Sequence, residues 1–225
     1  MSTIQVYSFS YKNEDRKGRM TRRFEVLGHP ITWVDPVLVT DPRVIVPDDS
    51  SKRPHAIMFN HIDMIHKFIT ESTADFGIFC EDDIYVRKDF TRTVQIAIDG
   101  YKRQKLDVIL LGYLPNYKAF TWKVDARHAT TEPPFSFITV GDDLWGSQMY
   151  MMDRMAAKRV YDSVCEPERV MTHFSPDWAI TKFGNVAAIY PMLAIEEGAV
   201  VTDHLGQINF HKECFIENYN PALHF

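Results

Sequence analysis

The stretch Phe76-Gly-Ile-Phe-Cys-Glu81-Asp82-Asp83-Ile-Tyr-Val86 runs from an unbroken apolar segment directly into three carboxylates. A short apolar run bounded by polar residues is typical of a strand buried on both faces of a sheet. Acids at the end of such a strand need a cation, because buried charges are stable only when they are paired or coordinate a metal. Carboxylate oxygens are the ligands that Mg²⁺ and Mn²⁺ prefer. The stretch therefore indicates either a divalent ion that holds a phosphorylated ligand or an exposed acidic turn.

The segments around this stretch predict an α/β fold. A strand at 4–10, a helix that Asn13 or Asp15 caps and Gly28 ends, and a strand at 30–35 form a β-α-β opening, which is typical of a parallel sheet. The pattern continues with helices and strands in alternation. We expect further helices at 54–71, 90–101, 154–165 and 176–184, strands at 106–113, 145–152, 186–190 and 193–196, an edge segment at 44–46, and an irregular tail over the last 25 residues.

Composition predicts one soluble domain, 1–225. The net charge of −5 argues against a nucleic-acid partner, which normally requires a basic excess. Three widely spaced cysteines form neither a disulfide framework nor a zinc pattern and so favour a reducing compartment. No signal peptide and no apolar run long enough to span a membrane is visible. We expect a cytoplasmic protein that is a monomer or a weak oligomer.

Several residues outside the acidic stretch are candidates for chemistry. Asp177, in the first turn of a helix beside Trp178, is either an acid favoured by the helix dipole or a base for a sugar hydroxyl. His204 and His211 in the tail are either surface residues or additional metal ligands. His61 is either a core histidine or a residue that contacts ligand. The cluster 16–23 is mostly a solvated helix face, although its first arginine could bind a diphosphate.

Two weaker candidates lie between the predicted strands. Asp142 and Asp143 form either a turn or a contact with the acceptor, the substrate whose sugar hydroxyl would react. The aromatic segment 115–143 is where we expect acceptor contacts. The chain has no Gly-rich dinucleotide motif, no Walker loop, no G-x-S-x-G and no H-E-x-x-H. The common nucleotide and hydrolase signatures are therefore absent.

Seven short segments follow one another along the chain: Ser8-Phe-Ser-Tyr with Arg16 and Arg19, Trp33-Val-Asp35, Met58-Phe-Asn-His61, Ile78-Phe-Cys-Glu-Asp-Asp-Ile84, Val108-Ile-Leu-Leu-Gly112, Gly146-Ser-Gln-Met-Tyr150 and Pro176-Asp-Trp178. Taken in this order, they resemble glycosyltransferase family 25, the group of lipopolysaccharide-type and collagen-type galactosyltransferases with related enzymes of chlorella viruses. Asn60 and Cys80 depart from the serine and leucine usual in that family.

The resemblance implies a GT-A-like fold, with a mixed, mostly parallel sheet between helices and a D-x-D-type metal motif. It implies a nucleotide-sugar half at about 1–114 and an acceptor half with a tail at about 115–225. It also implies a site for Mn²⁺ or Mg²⁺ and a UDP-sugar donor, with a saccharide or glycoprotein acceptor, and the host cytoplasm as location if the protein is viral. The implied residues are Glu81, Asp83 and His204 for the metal, Ser8, Ser10, Arg16, Asp35, His61 and Asp82 for the nucleotide-sugar, and Asp177 as catalytic base.

The expected function is an inverting, metal-dependent glycosyltransferase. Two alternatives remain open at the level of the sequence. A nucleotide-sugar hydrolase or nucleotidyltransferase would use the same acidic site, and a binding module would bind the nucleotide-sugar without turnover.

Overall fold

The computed structural model describes residues 2–46, 48–115, 135–140, 144–165, 175–198 and 205–225. Helices and strands alternate along most of this length, as the sequence predicts. The strands are β1 (Ile4–Phe9), β2 (Ile31–Val34), β3 (Phe76–Cys80), β4 (Ile84–Val86), β5 (Val108–Pro115), β6 (Ser136–Thr139), β7 (Leu144–Asp153), β8 (Val186–Tyr190) and β9 (Ala194–Glu196). The helices are α1 (Glu14–Val26), α2 (Lys52–Glu71), α3 (Phe90–Gln104), α4 (Arg154–Cys165), α5 (Pro176–Ala179) and α6 (Leu205–Asn218), with a 3₁₀ turn at Asp49–Ser51.

In the described residues, the central sheet has seven strands in the order β2-β1-β3-β7-β5-β8-β6. β1 pairs in parallel with β2 and β3, and β5 pairs in parallel with β8. β7 runs antiparallel to β3 and β5, and β6 runs antiparallel to β8. Five strands therefore share one direction, which confirms the predicted mixed, mostly parallel sheet. The carboxyl ends of β1, β3 and β5 and the start of β7 lie at the same end of the sheet.

Helices cover both faces of this sheet. One core cluster includes Met58 and Phe68 of α2 together with Val160 of α4, and the other includes Phe24 of α1 and Val94 of α3. Each helix contributes an apolar stripe because its buried residues recur at helical spacing. β3 lies between the two clusters with all five residues buried, which explains its unbroken apolar sequence.

The three acids follow β3, as the sequence predicts, and β4 after them leaves the central sheet and pairs with β9 in a separate two-stranded sheet. The structure differs from the prediction at three places. The segment 44–46 is not a strand, and the helix predicted at 176–184 ends at Ala179. The tail contains the helix α6. Cys214 is its one buried residue, so the sequence of this helix shows little apolar periodicity.

None of the helices in the described residues is long and apolar enough to cross a lipid bilayer. The predicted boundaries of a single domain and of its two halves stay predictions.

Candidate functional site

Residues 81–83 connect β3 to β4 at the carboxyl end of the parallel strands, and the first turn of α1 lies against them. Arg16 Nη1 is 3.3 Å from Asp82 Oδ1 and 3.5 Å from Asp83 Oδ2. Ser10, just after β1, donates its hydroxyl to the other oxygen of Asp82. Asn13 accepts a hydrogen bond from the backbone N–H of Arg16 and so fixes the start of α1. The structure thus brings Ser10, Arg16 and Asp82 together, and one guanidinium partly neutralises two carboxylates.

Asp83 keeps one oxygen without a hydrogen-bond partner among the described residues. This atom, Oδ1, is buried, whereas Oδ2 faces Arg16. Burial raises the pKa of Asp83 well above its ordinary value, the charges of Glu81 and Glu196 raise it further, and the charge of Arg16 opposes them. A carboxylate in this position is stabilised either by a proton or by a bound cation.

Glu81 is held in place by β7 and α2. Ser147 Oγ donates to Glu81 Oε1 at 2.9 Å, and the N–H of Glu81 donates to the carbonyl of Gln148 at 3.0 Å. His61 Nε2 lies 3.8 Å from the same Oε1, which is too long for a hydrogen bond but close enough for an electrostatic contact. Burial opposes ionisation of Glu81, but His61 and Ser147 outweigh it and lower its pKa. Tyr150 OH, 3.0 Å from His61 Nδ1, fixes the ring from behind.

Glu196 and His211 form a polar pair beside the acidic connection. β9 places Glu196 opposite Ile84, one residue from Asp83. Glu196 Oε2 is 2.7 Å from His211 Nδ1 and 3.5 Å from Gln148 Nε2. Of the two tail histidines, His211 therefore lies at the site, and His204 lies outside the described residues. Sequence reasoning missed Glu196, because only the pairing of β4 with β9 brings it to the acids.

The basic cluster on α1 is more than the solvated face expected from the sequence. Arg19 and Arg23 pair with Glu197 at 3.1 and 3.2 Å, and the N–H of Glu197 donates to the carbonyl of Asp83 at 2.7 Å. Arg16 belongs to the same stripe, because residues three and four apart on a helix lie on one face. The 3–4 spacing of these three arginines was the available signal, because it places them on one face of α1, and in the structure that face meets the acidic connection.

Asp177 is a half-buried carboxylate that backbone and side chain fix from two sides. Its Oδ1 accepts from the N–H of Gly146, and its Oδ2 accepts from Ser175 Oγ at 2.9 Å. Ser175 also caps α5 by accepting from the N–H of Asp177. Burial raises the pKa of Asp177; the hydrogen bond from Ser175 opposes this, and the charge of Glu81 adds to it. The result is a rigid carboxylate that binds a proton more readily than an exposed one does.

One cleft of about 850 Å³ joins these groups. It is lined by Arg16, Glu81, Asp83, Ser147, Glu196, His211, Asp177 and Trp145, among others.

Five other predicted residues do not line this cleft. Ser10 and Asp82 are bonded to each other beside Arg16, and the other three lie as follows. Ser8 is fully buried in β1, and His61 is fully buried behind Glu81. Asp35 is exposed just after β2. Asp142, Asp143 and most of the segment 115–143 lie outside the described residues.

The residues of this cleft fit a hard divalent ion in their donor chemistry. The carboxylates of Glu81, Asp83 and Glu196 share one region, and the buried Oδ1 of Asp83 is available to a cation. Across the described ranges, no group of three or more His, Cys, Asp or Glu side chains already surrounds a common metal position. Mg²⁺ is often held by one or two carboxylates together with water and ligand phosphates. Glu81 and Asp83 can supply such carboxylates.

No family model matches this chain, and no curated protein matches it in sequence. Among solved structures, a glycosyltransferase involved in the glycosylation of the major capsid of PBCV-1 aligns over 95% of this chain and 99% of its own, with a TM-score of 0.50 and 9% identity. A197 from STIV aligns over 90% and 95%, with a TM-score of 0.42 and 13% identity. Mouse xyloside xylosyltransferase 1 aligns over 70% and 59%, with a TM-score of 0.37 and 12% identity.

The first likeness is one of fold alone, and the two weaker ones add nothing to it. Together with the sheet order and the flanking helices, it confirms the predicted fold class. Membership of glycosyltransferase family 25 stays a prediction. The chain has a mixed α/β, GT-A-like fold.

Proposed function

We propose that this protein is a metal-dependent glycosyltransferase that moves a sugar from a UDP-sugar to a hydroxyl of a saccharide or glycan, with inversion at the anomeric carbon. The Asp83 carboxylate carries the proposal, because its Oδ1 is buried without a hydrogen-bond partner in the described structure and Glu81 and Glu196 lie beside it. This excess of negative charge favours a divalent cation. UDP as the nucleotide and inversion as the outcome rest on the resemblance of the seven sequence segments to family 25.

Glu81 and Asp83 would hold the ion, which would neutralise charge on the departing diphosphate. Arg16 pairs with Asp83 at 3.5 Å, and its guanidinium suits bidentate contact with phosphate oxygens. Asp82 is already engaged by Ser10 and Arg16, so its role is to orient the donor and the guanidinium.

Asp177 would accept the proton of the acceptor hydroxyl. The hydroxyl oxygen forms a bond to the anomeric carbon while the bond from that carbon to the diphosphate breaks, and the diphosphate leaves with the electron pair. Gly146 and Ser175 each use one lone pair of the carboxylate, which leaves one on each oxygen for the acceptor. The raised pKa of Asp177 suits a base near neutral pH.

Calorimetric titration of UDP with and without Mn²⁺ tests the proposal. We expect UDP to bind the wild type in a Mn²⁺-dependent manner, and Asp83→Asn, which removes the charge but keeps the shape, to lose that dependence. Asp162→Asn is the matched control, because Asp162 is exposed on α4 and pairs with Lys158 there. UDP affinity that is equal with and without Mn²⁺, or unchanged in Asp83→Asn, would contradict the proposal. Release of free sugar from UDP-sugars without an acceptor would indicate a hydrolase instead.

A further inference from the structure

Strand β7 buries every residue from Leu144 to Met152 except one. The exception is Trp145, which exposes 36% of its surface and lines the cleft. A partly exposed tryptophan in a polar cleft presents a large, flat apolar surface at low entropic cost, which is a common feature of ligand sites.

A single peptide links this indole to the candidate base. Gly146 follows Trp145 directly, adopts a φ of +102°, and points its N–H at Asp177. A side chain is strained at this φ, so the turn favours glycine, and a β-carbon there would also displace the side-chain amide of Gln148. The bend therefore fixes Trp145 and the Asp177 carboxylate relative to each other.

A second tryptophan and a lysine support the Trp145 ring. Trp178 follows Asp177, and its ring meets that of Trp145 edge to face, with centroids 5.3 Å apart at 80°. Lys182 Nζ lies 3.8 Å from the Trp178 centroid and 4.8 Å from that of Trp145. The two rings and the cation form what we call the tryptophan platform (Trp145, Trp178 and Lys182), which keeps the exposed indole in one orientation.

The platform lies on the side of the site away from the phosphate-binding residues of the proposed function. Ser10 and Arg16 follow β1, the acids follow β3, and Trp145 lies at the start of β7. The three groups therefore lie at the same end of three adjacent strands of the sheet. A donor diphosphate at Arg16 and Asp83 leaves the β7 side of the cleft to the acceptor.

We propose that Trp145 binds the apolar C–H face of a pyranose ring of the acceptor and presents one of its hydroxyls to Asp177. A pyranose has the required form, because its axial C–H groups make one face apolar while its hydroxyls project from the rim. A hydroxyl within hydrogen-bond reach of Asp177 brings the sugar ring against the neighbouring indole. This assignment rests on the proposed function for the role of Asp177, and it makes the acceptor a saccharide.

Indole N–H signals in ¹⁵N-resolved NMR spectra of the full chain test this assignment. The probes are the methyl pyranosides of glucose, galactose, mannose, xylose and N-acetylglucosamine. Trp145→Phe assigns the Trp145 signal and keeps a ring at the position, and Trp145→Ala removes the ring. Trp33→Phe is the matched control, because Trp33 donates to Thr21 and lies under Lys17 on α1.

We expect at least one pyranoside to shift the Trp145 signal and leave that of Trp33 in place, and Trp145→Ala to weaken this binding about tenfold. UDP with Mn²⁺ should bind Trp145→Ala as it binds the wild type. The assignment is overturned if no pyranoside shifts the Trp145 signal. It is also overturned if Trp145→Ala abolishes UDP binding, because the indole would then stack on the nucleobase. A failure of UDP to bind with Mn²⁺ would count against the proposed function alone, since the pyranoside titration needs no nucleotide.

Discussion

Asp177→Asn removes the proposed base with little structural disturbance. The amide oxygen of asparagine can still accept from the N–H of Gly146, and its NH₂ group can donate to Ser175 Oγ in place of the bond that Ser175 now donates. The substitution also removes the charge of a half-buried carboxyl group whose pKa is raised by burial. We therefore expect the free energy of unfolding to change by less than about 1 kcal/mol.

The expected loss of transfer is large. A positioned general base typically contributes ~10²–10⁴-fold to the rate. This corresponds to about 2.7–5.5 kcal/mol of transition-state stabilisation. Because Asp177 makes no contact with Arg16, Asp82 or Asp83 in the described hydrogen-bond network, UDP affinity should not change.

Transfer kinetics, UDP titration and thermal unfolding of the same preparations measure the transfer rate, the UDP affinity and the stability, with Asp162→Asn as the control. The wild-type kcat/KM should fall as the pH drops through the raised pKa of Asp177, since the protonated acid cannot accept the hydroxyl proton. This acid limb should be absent from the residual activity of Asp177→Asn. Near-full turnover of the variant, or a matching loss of UDP binding, would refute the reasoning.

Three further predictions concern other parts of the chain. Arg16→Gln should weaken Mn²⁺-dependent UDP binding by about 10–100-fold in calorimetry, since charge-assisted hydrogen bonds are lost; an unchanged affinity would exclude a phosphate contact. Gly146→Ala should cost about 1–3 kcal/mol in a urea melt because of its positive φ, and should also slow transfer by moving the N–H that holds Asp177; a variant of wild-type stability would show that the backbone is not strained there. His224 is buried, and burial lowers its pKa from 6.5 to about 4. Below pH 6.5 the unfolded chain takes up a proton that the folded chain does not, so stability should fall between pH 6.5 and 4 by up to about 3 kcal/mol. In urea melts, His224→Asn should lack this part of the fall in stability. If the stability of the variant and of the wild type fell in parallel between pH 6.5 and 4, the fall would not come from His224.

The local parts of the fold were predictable from the sequence. α4 and β8 have the predicted bounds, Asn13 caps α1, and Gly28 adopts a φ of +74° just beyond the end of that helix. These features depend on apolar periodicity, capping side chains and glycine, which act over a few residues. The acidic connection was also visible, because three carboxylates directly after a buried strand are unusual enough to stand out.

The contacts that complete the site were not predictable in the same way. Glu196 reaches the acids through the pairing of β4 with β9, and Gly146 binds Asp177 across 31 positions of sequence. Neither contact leaves a periodic signal, because each depends on register between distant segments. α6 was missed for a different reason, since its mostly exposed residues do not form an apolar stripe.

The central claim is that the carboxylates after β3 bind a metal ion together with a nucleotide diphosphate. Broadening of amide NMR signals by paramagnetic Mn²⁺ in the presence of UDP tests it most directly. The account predicts that the signals of Asp82, Asp83 and Glu196 broaden, that those of Thr3 and Glu71 at another hollow of the surface do not, and that Asp83→Asn abolishes the effect. Broadening that is the same with and without UDP and the same in Asp83→Asn as in the wild type would contradict the account. Broadening centred on other residues would also contradict it.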